Sequence, residues 1–193
     1  MSTLDGNLLA ELEKRHPLPS KLTNDSVMEM SDEDILDFID PEADADALEN
    51  AVEQLNRVGR LSPPMVVQSV CLGDFNFFES AISELADISK DNLRKLIFDE
   101  GPLGLQAIQK ATDFPPKLIE VVRTVVRLAT KHGYDGDPND YLRFQDLAIK
   151  HLDAEYDGKA SDNLGRLLVW LSAAESEPEE DAVWSSMARS VNG

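Results

Sequence analysis

From Ser31 onward the chain sets short runs of apolar residues at helical spacing between breaks built from Gly, Pro, Ser and Asp. Ser31 stands before DEDILDFI, where Asp32, Glu33 and Asp34 fall in the electropositive first turn of a helix that Ser31 can cap. Pro41 closes that helix, and ALENAVEQLNRVG then brings Ala47, Leu48, Ala51, Val52 and Leu55 onto one face before stopping at Gly59. Ser62-Pro63-Pro64 opens MVVQSVCL, and Gly73-Asp74 separates it from FNFFESAISELA. Ser89 is expected to cap KDNLRKLIFDE and Gly101 to close it, with Pro102 restarting the chain as LGLQAIQKAT. Pro115-Pro116 starts KLIEVVRTVVRLATKH, which Gly133 ends, and Asp137-Pro138 starts NDYLRFQDLAIKHLDAEY. Two more helices, NLGRLLVWLSAAE and EEDAVWSSMARS, follow Gly158. No segment holds the two-residue alternation of a strand, so the pattern predicts an all-α protein.

The Pro-Pro starts at residues 63 and 115 each lead into an apolar helix, a glycine stop and an amphipathic partner. Helix pairs recurring at this interval predict stacked pairs, HEAT-like or a short α-solenoid, with an irregular helical bundle as the other arrangement. The expected organisation is a mobile acidic segment over residues 1–30, a helical-repeat domain over 31–176, and a C-terminal helix or tail over 177–193.

Within FNFFESAISELA, Phe75, Phe78, Ile82 and Leu85 form one stripe, and Phe77, Ala81 and Ile88 widen it. Rings of this size each contribute ~2 to ~3 kcal/mol when buried, so the stripe is read as core and an aromatic ligand box as the weaker reading. In Gly101-Pro102-Leu103-Gly104, Gly104 is expected to let two helices approach closely.

Charge changes the picture. The net charge is -19, and the first 60 residues carry 15 acids against 5 bases. No base lies between Lys21 and Arg57, whereas twelve acids do, Asp32 and Asp37 among them. Such a surface repels phosphate backbones and anionic lipid, which argues against direct nucleic-acid or membrane binding and for a protein partner with a basic surface. Against this field, Arg123, Arg127 and Lys131 recur every four residues along one helix line, placed to face solvent, the acidic segment or an acidic partner. The lone Cys71 cannot form an intrachain disulfide, the first residues lack the pattern of a secretion signal, and no stretch is apolar enough to span a bilayer; the expected location is the cytoplasm.

Catalytic and metal patterns are sparse. His16, His132 and His151 are scattered, and Cys71 lies between apolar neighbours that suggest burial rather than a reactive thiol. In DGDPNDYLRFQD, Asp135, Asp137, Asn139 and Asp146 fall at calcium-loop positions, but Asp140 stands where the loop needs glycine, so a turn capped by Asp137 is preferred. Glu79 and the Asp99-Glu100 pair are the acids most worth following; Glu79, a candidate interaction residue, is read as solvated or paired with a nearby Lys or Arg in preference to general acid/base work. No cofactor and no metal are expected.

The run from Ser62 to Arg123 carries Gly73, Asp74, Phe77, Phe78 and Glu79, then Gly101, Pro102, Leu103 and Gly104, then Pro115 and Pro116, with Tyr141 and Arg143 in a later helix. In order and spacing this resembles the bacterial domain-of-unknown-function 2336 family over roughly residues 60–155. The resemblance implies an all-helical, HEAT-like fold and brings no activity with it. The function expected is a non-catalytic protein-interaction or regulatory adaptor. An acidic decoy occupying the basic surface of a nucleic-acid-binding protein is the alternative, and a small-molecule or enzymatic role comes third.

Overall fold

A computed structural model describes residues 29–39, 44–99 and 101–174. Every regular element among them is helical: α1 (Asp32–Phe38), α2 (Ala45–Arg57), α3 (Pro63–Cys71), α4 (Phe75–Ala86), α5 (Lys90–Ile97), α6 (Leu103–Thr112), α7 (Pro116–His132), α8 (Tyr141–Glu155) and α9 (Lys159–Ala173), with a 3-10 turn at Pro138–Asp140. Of the expected mobile segment over residues 1–30, residues 1–28 lie outside the described residues, as does the C-terminal helix or tail over 177–193.

The local chemistry explains most of the boundaries. Ser31 and Asp34 form a reciprocal capping box on α1, Asp44 accepts from the Ala47 N–H at the start of α2, and Ser62 accepts from the Met65 N–H at the start of α3. Gly133 ends α7 in the left-handed conformation, φ +65°, as a C-cap glycine does. Asp87 and Asp113 take the same conformation after α4 and α6, a place where aspartate is tolerated better than most side chains. Gly101 does not behave as expected. α5 already ends at Ile97, Phe98 is its C-cap, and Gly101 is not among the residues with positive φ. Gly104 does what its position predicts, since a Cβ there would overlap the Leu96 carbonyl oxygen where α6 crosses α5.

α3 is the centre of the bundle. Every side chain from Met65 to Cys71 is buried, and the helix packs against α1, α4, α7, α8 and α9. Phe77, Phe78, Ala81 and Ile82 of α4 meet it in a single continuous core that also takes in Leu118, Val122 and Val125 of α7 and Leu164, Leu167 and Leu168 of α9. Helix pairs do stack in chain order, α3 on α4, α5 on α6 and α8 on α9. The array nevertheless closes on itself, because α9 returns to pack on α3, so the arrangement is an irregular bundle rather than a row whose units touch only their neighbours. The return is close: a Cβ on Gly165 would lie 3.1 Å from the Gln68 side-chain oxygen. α9 is kinked at Asn163, whose φ and ψ are non-helical and whose side-chain oxygen accepts from the Arg166 N–H at 2.7 Å, so the packed part of α9 starts where an asparagine cap would put it.

Candidate docking surfaces

The Gly73-Asp74 turn is built into the core. Gly73 has φ +95°, and a Cβ there would stand 2.9 Å from the Tyr134 hydroxyl. That hydroxyl donates to the Gly73 carbonyl at 2.9 Å, and the Tyr134 ring stacks on Phe144 at 4.1 Å while Phe75 meets both edge-on. Burial pushes Tyr134 up to about 12, with the neighbouring Tyr141 and Asp74 adding to the effect. Asp74 accepts from the Phe77 N–H at 2.9 Å to cap α4; burial raises its carboxyl above the ordinary range and the hydrogen bond only partly opposes this. Phe77 and Phe78 are fully enclosed. The aromatic run is therefore core, as its spacing predicts.

Glu79 is buried, and its carboxylate accepts from the half-exposed Arg94 side chain of α5 at 2.8 Å. Burial raises its carboxyl, and the Arg94 hydrogen bond and charge pull it back. Glu79 thus ties α4 to α5, with little of its side chain open to solvent. Asp32 is also engaged: it accepts from Arg60 at 3.1 Å and from the Ser62 hydroxyl at 2.9 Å, holding α1 against the start of α3. Asp37 remains exposed. Asp135 and Asp137 each accept a backbone N–H two residues on, and Asp137 caps the 3-10 turn ahead of α8, which is the turn reading of that stretch.

Two of the open surfaces gather charge of one sign. The first is a cleft of about 840 Å³ between α2 and the α4–α5 corner. Asp46, Glu49 and Glu53 line one side, Glu84, Asp87 and Asp91 the other, and Lys90 is the one base in the lining, paired with Glu49 at 2.7 Å. Asn56 bridges the sides by donating to Glu84 at 2.9 Å. Negative charge is densest at the front of the chain, yet three of the six acids lining this cleft come from residues 84–91. The available signal was the exposed acid on each side, Glu49 and Glu53 one turn apart on α2 and Asp87 at the left-handed end of α4.

The second surface is a groove of about 460 Å³ between α7 and the α5–α6 turn. It gathers Arg123, Arg127 and Lys131 on one wall and Phe98, Pro102 and Leu105 on the other, with Asp99 and Gly101 at the turn. Phe98 is 46% exposed. Among the described residues none of the three bases makes an ion pair or side-chain hydrogen bond. The fold thus joins two features that are separate in the sequence, the Gly-Pro-Leu-Gly turn and the line of bases.

Cys71 is fully enclosed and burial pushes its thiol up to about 12. No described helix is long and apolar enough to cross a membrane, and no three His, Cys, Asp or Glu side chains among the described residues cluster as a metal site. No curated protein and no solved structure matches the chain. The family model for an uncharacterised protein conserved in bacteria, DUF2336, matches residues 1–161, a span that extends beyond the signature region to take in the front segment, and the chain belongs to that family.

Proposed function

We propose that the protein is a non-catalytic interaction module of the bacterial cytosol whose docking surface is the acid-walled cleft between α2 and the α4–α5 corner, and whose partner presents a basic surface. The observation that carries this reading is the gathering of six carboxylates from two parts of the chain around one open cleft with Lys90 as its single base. Such a cleft concentrates field of one sign and speeds the approach of a basic partner, while the rigid helices flanking it set how long the partner stays.

The test is reversal of charge at Glu49, Glu53 and Glu84 to Lys, all exposed and outside the core. Capture from the native cell at moderate salt should lose a defined basic protein with the triple variant, and its association rate with the purified parent should fall by an order of magnitude or more at low salt. An unchanged set of captured proteins overturns the reading. The two rows of three acids flanking one cleft also favour a second reading, a decoy that imitates the phosphate rows of a nucleic acid. Duplex DNA should then displace the captured partner, whereas a partner indifferent to DNA leaves the adaptor reading in place.

A further inference from the structure

The groove along α7 is a different surface with the opposite charge, and its geometry fits one kind of occupant. Arg123, Arg127 and Lys131 step along the helix four residues at a time, a rise of about 6 Å per step. Alternate side chains of an extended peptide are spaced by about 6.5 Å on one side. An extended segment with acids at every second position therefore meets all three bases in register, whereas a small anion touches at most a neighbouring two.

The chain contains such a segment. Residues 175–181 read ESEPEED and place Glu175, Glu177, Glu179 and Asp181 at alternate positions; Pro178 favours extended backbone at and before it, and docking would hold Glu179 to Asp181 extended in place of the first turn of the helix expected over EEDAVWSSMARS. Two other alternating runs are committed elsewhere: in Asp40, Glu42, Asp44 and Asp46, Asp44 caps α2 and Asp46 lies in its first turn, and in Asp153, Glu155 and Asp157 the first two belong to α8. We infer that the groove formed by Arg123, Arg127, Lys131 and the Phe98–Leu105 wall is the docking site of this chain's own acidic segment 175–181.

The chain leaves α9 in a suitable place. Ser172 lines a hollow with Phe114, Pro115 and Pro116, at the end of the α6–α7 hairpin where α7 begins. Arg123 lies seven residues into α7 from Pro116, about 10 Å along its axis. Ser172 and Ala173 lie in α9 and Ala174 caps it in the helical conformation, so Glu175 lies only about 5 Å from Ser172 and Glu177, two residues on, is the first acid that reaches about 10 Å. Glu177, Glu179 and Asp181 can thus align with Arg123, Arg127 and Lys131 in chain order. Guanidinium groups on α7 offer paired donors to each carboxylate, and the tether raises the local concentration of the segment to the millimolar range.

Zero-length carbodiimide coupling of the full chain, followed by digestion and mass spectrometry, tests this directly because it joins only amines and carboxylates already in contact. Lys110 lines the hollow beside Ser172 and is closer to the end of α9, so it reports random collisions of the tethered segment. Lys90 with Glu49, 2.7 Å apart, is the internal positive control. The expected result is coupling of Lys131 to residues 175–181 at about fivefold or more over Lys110, independent of protein concentration, as an intramolecular contact requires. The Arg123→Glu, Arg127→Glu double variant, which keeps Lys131 and the Lys90 control, should reduce the Lys131 product to the Lys110 level, as should about 0.5 M salt. Equal coupling at Lys131 and Lys110, a Lys131 product unchanged by the double variant, or a product found only between two chains overturns the inference. So does an added acidic peptide of unrelated sequence that couples to Lys131 while residues 175–181 stay uncoupled, which would assign the groove to a foreign acidic segment.

Discussion

Helices α3 and α7 both start at a pair of prolines, yet every side chain of α3 from Met65 to Cys71 is buried whereas α7 keeps Arg127, Thr130 and Lys131 exposed. Ser62 caps α3 with a side-chain hydrogen bond, while Pro115 offers none to α7. The start signals therefore fix where a helix begins and leave open which way it faces. What separates the two is the distribution of charge. α3 has none in nine residues, so it can be packed on all sides, and its Ser69 hydroxyl is satisfied within the helix by donating to the Val66 carbonyl at 2.8 Å. α7 carries Arg123, Arg127 and Lys131 four residues apart along one line, with Lys117 and Glu120 also exposed near its start, so this side must stay wet while Leu118, Val122, Val125 and Ala129 are buried. One helix organises the bundle and the other displays a surface.

That contrast can be broken most decisively on the buried side. Phe78→Ala, where α4 meets α3, is expected to cost ~3 to ~5 kcal/mol, and Met65→Ala on α3 itself ~2 to ~5 kcal/mol. Denaturant midpoints measure both, and an unchanged midpoint in either would remove α3 from the centre of the fold. Gly104→Ala should cost ~1 to ~3 kcal/mol, since the added methyl must push α6 away from the Leu96 carbonyl; a stabilised variant would show that the crossing can relax freely. Asp74→Asn sharpens the comparison at the turn after α3. The native carboxyl is raised by burial, so the stability linked to its proton is fully present below the unfolded value and is lost as pH rises through the native one. Asparagine still caps α4 and has no charge to bury, so the variant should lose less stability between pH ~4 and neutrality, with a midpoint at neutral pH within ~1 kcal/mol of the parent or above it. A steeper loss with rising pH would contradict the assignment. The smallest effect belongs to the displayed helix: Arg127→Ala should move stability by no more than ~0.5 kcal/mol, and a large drop in thermal midpoint would mean that the base holds the fold together.

Much of this architecture was legible in the letters. The cap at Ser31, the helix start at Ser62, the glycine stops at Gly59 and Gly133, and the burial of Phe77 and Phe78 all follow from local rules of spacing and hydrogen bonding. Gly104 was legible for the same reason, since a glycine inside an apolar helix start signals close approach. Gly101 was misread because glycine after a helical run looks like a cap, whereas α5 stops at Ile97 with no left-handed residue and Gly101 serves the turn that follows. Asp87 and Asp113 ended helices without announcing it, because aspartate is as common inside a first turn or on a wet face as at a left-handed stop. The return of α9 to α3 and the meeting of residues 46–53 with residues 84–91 depend on contacts between distant parts of the chain, which periodicity does not encode. The same limit applied to Glu79. Its position on α4 was visible, but its burial against Arg94 depended on where α5 came to rest.

The enclosure of Cys71 has an analytical use. Its thiol sits on the central helix, shut off from solvent and with its ionisation pushed up to about 12, so no thiolate is available to an external reagent while the bundle stays closed. Each labelling event must then wait for an opening that disrupts α3, and with it the contacts to α1, α4, α7, α8 and α9. Where reclosing is faster than labelling, the modification rate divided by that of an unstructured cysteine gives the fraction of molecules open at any instant. A single built-in thiol thus serves as a clock for the whole bundle in plain buffer, with a thiol reagent and no denaturant.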